Sequence, residues 1–279
     1  MQKSFIYKPI YFFLNSLFIS AIFWLCATYV SFQQSMDYLL FPLILGGMAG
    51  PSIAAFVVMA QSKNVALWSD FYERLYFYKI KIHFILISLL LMPCLIVSAI
   101  GISLLFGQPL HQFMFLPQAP DQALQGVNFL GLLIVLFISC SLEEIGWRGY
   151  GIDSLNNKFN LWQTSLIFAT IWSLWHIPAF FIHNGYFQKE ILNAGFMHVF
   201  IYFMSLFPVT MLINWLYIKN NRSILIAIFF HMILNLSYGL FHLELLTKAI
   251  LMILLFLVAG IIVFKENQLF FNHEISGQK

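Results

Sequence analysis

Charged side chains are scarce in this sequence. Asp, Glu, Lys and Arg make up 9% of the 279 residues, whereas 61% of the residues are hydrophobic. Ordinary soluble domains carry about 25% charged residues, so this composition excludes that class and is typical of a polytopic membrane protein. The net charge of only +3 comes without a basic arm, which argues against a nucleic-acid partner.

Cysteine is also scarce. Cys26, Cys94 and Cys140 each lie inside an apolar run. Three scattered cysteines are too few for a disulfide framework, and their spacing does not fit a zinc cluster. We therefore expect them to pack as small apolar side chains.

Long apolar runs dominate what is present. The first follows Lys8 and is too long for the ~7–15-residue core of a signal peptide, so we interpret it as a retained helix. A run of about 20 apolar residues can cross a bilayer. On this basis the sequence predicts an all-α, polytopic membrane protein of about eight transmembrane helices in a single domain, 1–279, with spans at 9–31, 39–61, 82–106, 127–148, 161–182, 196–217, 223–241 and 245–264. Gly46, Gly47, Gly50 and Pro51 predict a kink or close packing in the second span.

The basic residues predict the orientation. With eight spans, twelve of the 14 Lys and Arg residues fall on the side that holds both termini, and only Lys189 and Lys248 fall on the other. Because basic residues favour the cytoplasmic side, both termini are predicted to be cytoplasmic. The membrane would be a bacterial inner membrane, or the endoplasmic reticulum in a eukaryote.

One cluster of charges interrupts the apolar pattern. The fourth span ends with Glu143 and Glu144, and Arg148 follows four residues later. An ionisable side chain in a membrane costs at least about 2.5–3.5 kcal/mol, so such a cluster indicates a functional site with polar partners elsewhere.

Three polar residues inside later spans are the best candidates for these partners. His176 lies well inside the fifth span, and His231 and Asn235 share one helix face in the seventh. Each alone could join helices by a hydrogen bond. Together with the carboxylates they favour a site over independent structural roles.

This set of side chains permits two kinds of chemistry. Glu143, His176, His231 and Asn235 could bind a divalent metal ion, with zinc the best fit, or they could hold and deprotonate a water molecule without a metal. Arg148 can pair with Glu144 at i,i+4 spacing. Glu143 and Glu144 lie about 100° apart around a helix, so we expect them to have separate roles.

The order of these motifs resembles the CAAX protease and bacteriocin-processing family of intramembrane proteases, also called the CPBP or Abi family. The family pattern is E-E-x-x-x-R, then F-x-x-x-H, then H/F-x-x-x-N. Here the first motif is Glu143-Glu144…Arg148, the second is Trp172…His176 with tryptophan in place of phenylalanine, and the third is His231…Asn235. The resemblance covers residues 127–240, which would form the catalytic core.

The resemblance implies an eight-helix bundle with a cavity open to the cytoplasm and to lipid. It also implies that Glu143 activates the hydrolytic water, that His176, His231 and Asn235 line the same site, and that Glu144 and Arg148 support it. Eukaryotic relatives remove three residues from prenylated CAAX proteins, and many bacterial relatives are linked to bacteriocin processing or self-immunity. The implied partners are membrane lipid and a membrane-associated peptide or protein.

The sequence thus predicts an intramembrane endopeptidase acting on a membrane-associated substrate, prenylated or leader-bearing. The alternative on the same fold is a non-catalytic membrane scaffold or a bacteriocin self-immunity factor. A transporter with a proton-relay carboxylate remains a third interpretation, although no repeat symmetry between the halves supports it.

Overall fold

The computed structural model describes residues 6–76, 80–114 and 128–272. In these ranges the regular elements are helices, which confirms the all-α prediction. The α-helices are α1 (Pro9–Val30), α2 (Leu40–Met48), α3 (Gly50–Ser62), α4 (Val65–Glu73), α5 (Ile82–Leu104), α6 (Phe129–Gly146), α7 (Ile152–Asn156), α8 (Leu161–His176), α9 (Phe196–Lys219), α10 (Ile224–Leu240), α11 (Leu245–Lys265) and α12 (Asn267–Phe271). Residues 115–127, which include the first residue of the fourth predicted span, and residues 273–279 lie outside the described residues.

The polytopic architecture is also confirmed. Among the described residues, six helical segments are long and apolar enough to cross a membrane: α1, α5, α6 through α7, α8 with the turn that follows it, α9 and α11. Helices α2 and α3, together with the turn before α2, form a pair bent by 49° that counts as a seventh span if it crosses once. The remaining predicted span corresponds to α10, which is apolar but has only 17 residues. A total of eight therefore requires that both the bent pair and α10 cross.

Small residues allow α1 and α2, and also α3 and α6, to approach closely. A Cβ atom on Gly47 would clash with the indole of Trp24, and one on Gly146 would clash with the backbone of Pro51. Ser52 at the start of α3 donates a hydrogen bond to the carbonyl of Leu142 in α6. The bend and this close packing agree with the expectation for the glycines and proline of the second predicted span, and they fix α6 against the N-terminal helices.

Helix α6 does not stop where the sequence predicted. It continues through a π-helical turn, Trp147–Gly151, into α7, so the segment runs unbroken to Asn156. The predicted end of the fourth span at residue 148 is therefore wrong, because the helical segment continues beyond it and residues 147–155 are buried. π-Turns are rare and occur frequently at functional sites.

The two described ends of the chain lie at the same end of the bundle. The backbone N–H of Lys8 donates to the Tyr150 hydroxyl at 2.9 Å, and the Asn160 side chain donates to the carbonyl of Phe271 at 3.3 Å. An ion pair of 2.9 Å joins Lys219, the last residue of α9, to Glu266, which directly follows α11, at this end. We call this the terminal end; which side of the membrane it faces stays a prediction.

Candidate active site

A buried ion pair forms the centre of the site. One terminal nitrogen of Arg148 donates to both carboxylate oxygens of Glu144, at 2.8 and 2.6 Å, and both side chains are fully buried. The same carboxylate accepts a hydrogen bond from Nδ1 of His231 on α10 at 2.9 Å. Glu144 thus joins the charged turn of α6 to the histidine of the third motif.

Arg148 is held from its other side as well. Its second terminal nitrogen donates to the Asn214 side chain on α9 at 3.1 Å, and Asn214 donates to Ser165 on α8 at 3.0 Å. The guanidinium also lies over the ring of Phe168, 5.0 Å from its centre. A buried charge needs this many partners to offset its lost hydration.

Glu143 faces a different neighbour from Glu144. Its carboxylate accepts a hydrogen bond from the indole N–H of Trp172 on α8 at 3.4 Å, and it lines a cavity that Glu144 does not line. The separation of the two adjacent carboxylates agrees with their positions around one helix.

Trp172 also contacts both histidines. Its carbonyl accepts a hydrogen bond from Nδ1 of His176 at 2.7 Å, and its ring meets the ring of His231 edge-on with centres 5.4 Å apart. Helix α8 ends at His176, and Pro178 sits in the first turn of the following 3₁₀ segment, Ile177–Phe181. The helix type therefore changes from α to 3₁₀ directly after His176.

The hydrogen bonds determine which histidine nitrogens are available. A carbonyl and an ionised carboxylate only accept, so Nδ1 of His176 and Nδ1 of His231 must donate. In the neutral imidazoles this leaves an unprotonated Nε2 on each ring. Metal-binding histidines usually donate their other N–H in this way, so the chemistry of the donor set of these histidines, Glu143 and Asn235 suits a divalent metal ion. The ligand atoms of Glu143, His176 and His231 do not all lie within 4.8 Å of one another, so an ion would have to draw these side chains together.

Asn235 completes the set of six predicted site residues. It is half-buried, lines the same cavity as Glu143, and its amide nitrogen lies 3.6 Å from the sulfur of buried Cys140. All six residues therefore lie within one connected region made by α6, the π-turn, α8 and α10.

A cavity of about 390 Å³ connects the region to the outside of the bundle. Glu143, His176, His231 and Asn235 line it together with mainly apolar side chains. It extends to Glu190 and to Lys248, which lies near the start of α11. Because α11 finishes at the terminal end, the cavity extends toward the opposite end of the bundle.

Two expectations from the sequence exclude each other on this geometry. The basic residues predict cytoplasmic termini, and the family resemblance implies a cavity open to the cytoplasm. Both cannot hold, because the termini and the outer part of the cavity lie at opposite ends.

This arrangement can be tested by cysteine labelling in sealed vesicles. We expect a cysteine replacing exposed Lys158, between α7 and α8, and a cysteine replacing exposed Glu190 to react with a membrane-impermeant maleimide from opposite sides. The background is the variant in which Cys26, Cys94 and Cys140, which are all free, are replaced by alanine. Labelling of both positions from one side would contradict the arrangement.

The π-turn is anchored by residues that sequence reasoning missed. Arg74, directly after α4, donates to the carbonyls of Arg148 and Gly149 and to Asp153, each at 2.8 Å, and to the Tyr217 hydroxyl at 2.7 Å. Burial alone would lower the pKa of Arg74, but Tyr217 and Asp153 raise it above its usual value. Arg74 thus remains a cation and satisfies carbonyls of the turn that carries Arg148.

A signal for these residues existed in the sequence. Asp153 and Asn214 are polar residues beside or within apolar runs, as are the six predicted site residues. Nothing in the spacing linked them to Arg74, which lies more than 70 positions earlier in a segment rich in aromatic and basic residues.

Comparisons with known proteins agree with the motifs. The family profile described as type II CAAX prenyl endopeptidase Rce1-like matches residues 125–237. The chain is 35% identical over 272 residues to CAAX prenyl protease 2 of Methanococcus maripaludis, covering 97% of this chain and 98% of that protein.

Proposed function

Because the chain belongs to the type II CAAX prenyl endopeptidase family of membrane proteases, we propose that it hydrolyses a peptide bond near the C-terminus of a prenylated, membrane-associated protein. The observation that carries this proposal is the meeting of Glu143, His176, His231 and Asn235 at one cavity inside an apolar bundle. A site built for peptide hydrolysis needs a base, donors for the oxyanion and a volume for the substrate, and these residues supply each of them.

Glu143 is the proposed general base. It removes a proton from a water molecule as the water oxygen attacks the scissile carbonyl carbon, which gives a tetrahedral oxyanion. The same carboxyl group then returns the proton to the leaving nitrogen as the C–N bond breaks. The products are a carboxylic acid and an amine, and transfer of the acid proton gives a carboxylate and an ammonium group at neutral pH.

His176, His231 and Asn235 are proposed to orient the water and the scissile carbonyl. The Asn235 amide can donate to the developing oxyanion, and the unprotonated Nε2 atoms of the two rings can hold the attacking water. Glu144 and Arg148 act through His231, because the Glu144 carboxylate fixes its tautomer and the direction of its ring.

Glu143, His176, His231 and Asn235 are also the residues that would hold a divalent metal ion. Zinc accepts carboxylate and imidazole ligands, and when bound it would polarise the carbonyl and acidify the water. Cleavage that is lost on chelation and restored by zinc would support the metal, whereas cleavage unaffected by chelation would support Glu143 acting alone.

The apolar lining of the cavity favours a substrate that enters from the membrane. Burial of a prenyl chain in such surroundings stabilises the bound state by about 0.8 kcal/mol per CH₂ group. We therefore expect a prenylated CAAX peptide in liposomes to be cleaved with a much higher kcat/KM than the same peptide without the lipid.

The test of the proposed function compares these two peptides with the purified protein, using Glu143→Gln as the inactive control. Cleavage of the prenylated peptide by the wild type alone is the expected result. Cleavage of neither peptide would contradict the proposal and favour the scaffold or self-immunity alternative.

Trp172 has an indole N–H that donates to Glu143, a hydrogen bond that phenylalanine at this position could not make. We expect Trp172→Phe to lower kcat by up to roughly tenfold, as for the loss of one hydrogen bond worth up to about 1.4 kcal/mol, because the Glu143 carboxylate then loses the donor that orients it. The matched control is Trp175→Phe, which removes the N–H that donates to Ser20 at 2.7 Å. An equal loss of kcat in both variants would show that Trp172 acts only through packing.

A further inference from the structure

A second group of metal-binding side chains lies outside the proposed active site. His111 belongs to the 3₁₀ turn Leu110–Phe113, and His242 and Glu244 belong to the link between α10 and α11. One ligand atom from each of the three lies within 4.8 Å of the other two. Nε2 of His111 is 3.4 Å from a carboxylate oxygen of Glu244, and the two imidazole centres are 5.5 Å apart.

The positions of these ligands are set by a buried glutamine. The Gln112 side chain is fully buried, and its carbonyl oxygen accepts from the backbone N–H of Glu244 at 3.0 Å and from the Thr247 hydroxyl at 2.6 Å. Its amide nitrogen donates to Ser103 on α5 at 3.3 Å. Gln112 therefore fixes the backbone of the turn that carries His111 against the start of α11 before any ion binds, so that only the ligand side chains remain to be ordered by a metal.

We propose that His111, His242 and Glu244 bind one divalent transition-metal ion, with zinc as the preferred ion. Two imidazoles and one carboxylate are a ligand set that zinc accepts, with a water molecule in the fourth position. Zinc–ligand bonds of about 2.0–2.1 Å place tetrahedral ligand atoms about 3.3 Å apart. The separation of 3.4 Å between His111 and Glu244 already has this value.

The environment suits reversible binding from solution. The side chains of His111 and Glu244 are 47% and 37% exposed, so an ion can enter and keep a water ligand. Both imidazoles lie outside the long apolar helices. The single carboxylate neutralises one of the two charges of a divalent ion, so the occupied site has a net charge of about +1.

A metal ion bound by His111, His242 and Glu244 would restrain residues that line the cavity. Gly239 and Leu240 at the end of α10 line the cavity, and His242 follows two residues later. A metal would tie this wall to the turn at Leu110–Phe113 and so to the end of α5. The ion is thus a structural clamp beside the cavity, distinct from any metal held by Glu143 and the histidines of the active site.

The test measures zinc binding instead of cleavage, so its result is independent of the proposed function. Full-length protein in detergent is stripped with a chelator and titrated with zinc by calorimetry, and Co²⁺ absorption in the visible range reports tetrahedral coordination. The variants are His111→Ala/His242→Ala, Glu244→Gln, Glu143→Gln and, as a matched control on an exposed histidine elsewhere, His83→Ala.

We expect the double alanine variant to bind one zinc equivalent fewer than the wild type, and Glu244→Gln to bind that equivalent roughly tenfold or more weakly. His83→Ala and Glu143→Gln should retain it. Glu244→Gln keeps the backbone N–H that Gln112 binds, so it serves as the variant least able to disturb the fold. Equal zinc stoichiometry in the wild type and the double variant, or no zinc binding by the wild type, would overturn the proposal.

Discussion

Replacement of Glu144 by glutamine is expected to destabilise the protein by about 3–5 kcal/mol, the range measured when one partner of a buried ion pair is removed. Arg148 would then be a fully buried cation without a charged partner, and the single amide oxygen of glutamine would have to accept from both Arg148 and His231, which weakens the orientation of His231. The measurement is the midpoint of thermal unfolding in detergent. Cleavage should fall as well, since a misoriented His231 cannot hold the water.

The adjacent residue is the natural control. Glu143→Gln makes the same chemical change one position earlier, but Glu143 has no ion-pair partner among the described residues, only the hydrogen bond from Trp172 at 3.4 Å. A double variant, Glu144→Gln/Arg148→Met, removes both charges and should recover part of the lost stability. Equal unfolding midpoints for Glu143→Gln and Glu144→Gln would contradict the separate roles assigned to the two carboxylates.

Glu143→Gln, in contrast, is expected to lower the rate of cleavage strongly and to leave the stability of the protein nearly unchanged. Its kcat should fall about 10²–10⁴-fold, the usual contribution of general acid–base catalysis, because an amide cannot take the proton from water. Its unfolding midpoint and its KM should change little, because glutamine occupies the same volume and can still accept from the indole of Trp172. Kinetics with the prenylated peptide in liposomes measure both parameters. A variant with wild-type kcat would show that Glu143 is not the base.

Hydropathy predicted the helices well because lipid-facing spans must be continuous and apolar. The first predicted span, 9–31, corresponds to α1, Pro9–Val30, and the third, 82–106, corresponds to α5, Ile82–Leu104. The break between α2 and α3 was indicated by its glycines and proline. The π-turn was not predicted, because its extra residue leaves no periodic signal in a segment that is buried on all sides.

The site was predictable where polar residues stand alone in apolar runs. The contact between Glu144 and His231, at a separation of 87 positions, follows the expectation that such residues find one another in a bundle. The role of the Trp172 N–H could not be read from the sequence, since a large aromatic residue in a span is usually packing. The contacts of Arg74 depend on how α4 folds against the π-turn, which is a tertiary feature.

The most direct test of the account is to identify the product made from a prenylated CAAX peptide in liposomes prepared in water labelled with the heavy isotope of oxygen. The account predicts that mass spectrometry will find a released C-terminal tripeptide and one heavy oxygen atom in the new carboxylate of the prenylated product. It also predicts that Glu143→Gln forms neither product at a comparable rate. An intact peptide after incubation with folded wild-type protein would contradict the central claim that this cavity hydrolyses peptide bonds.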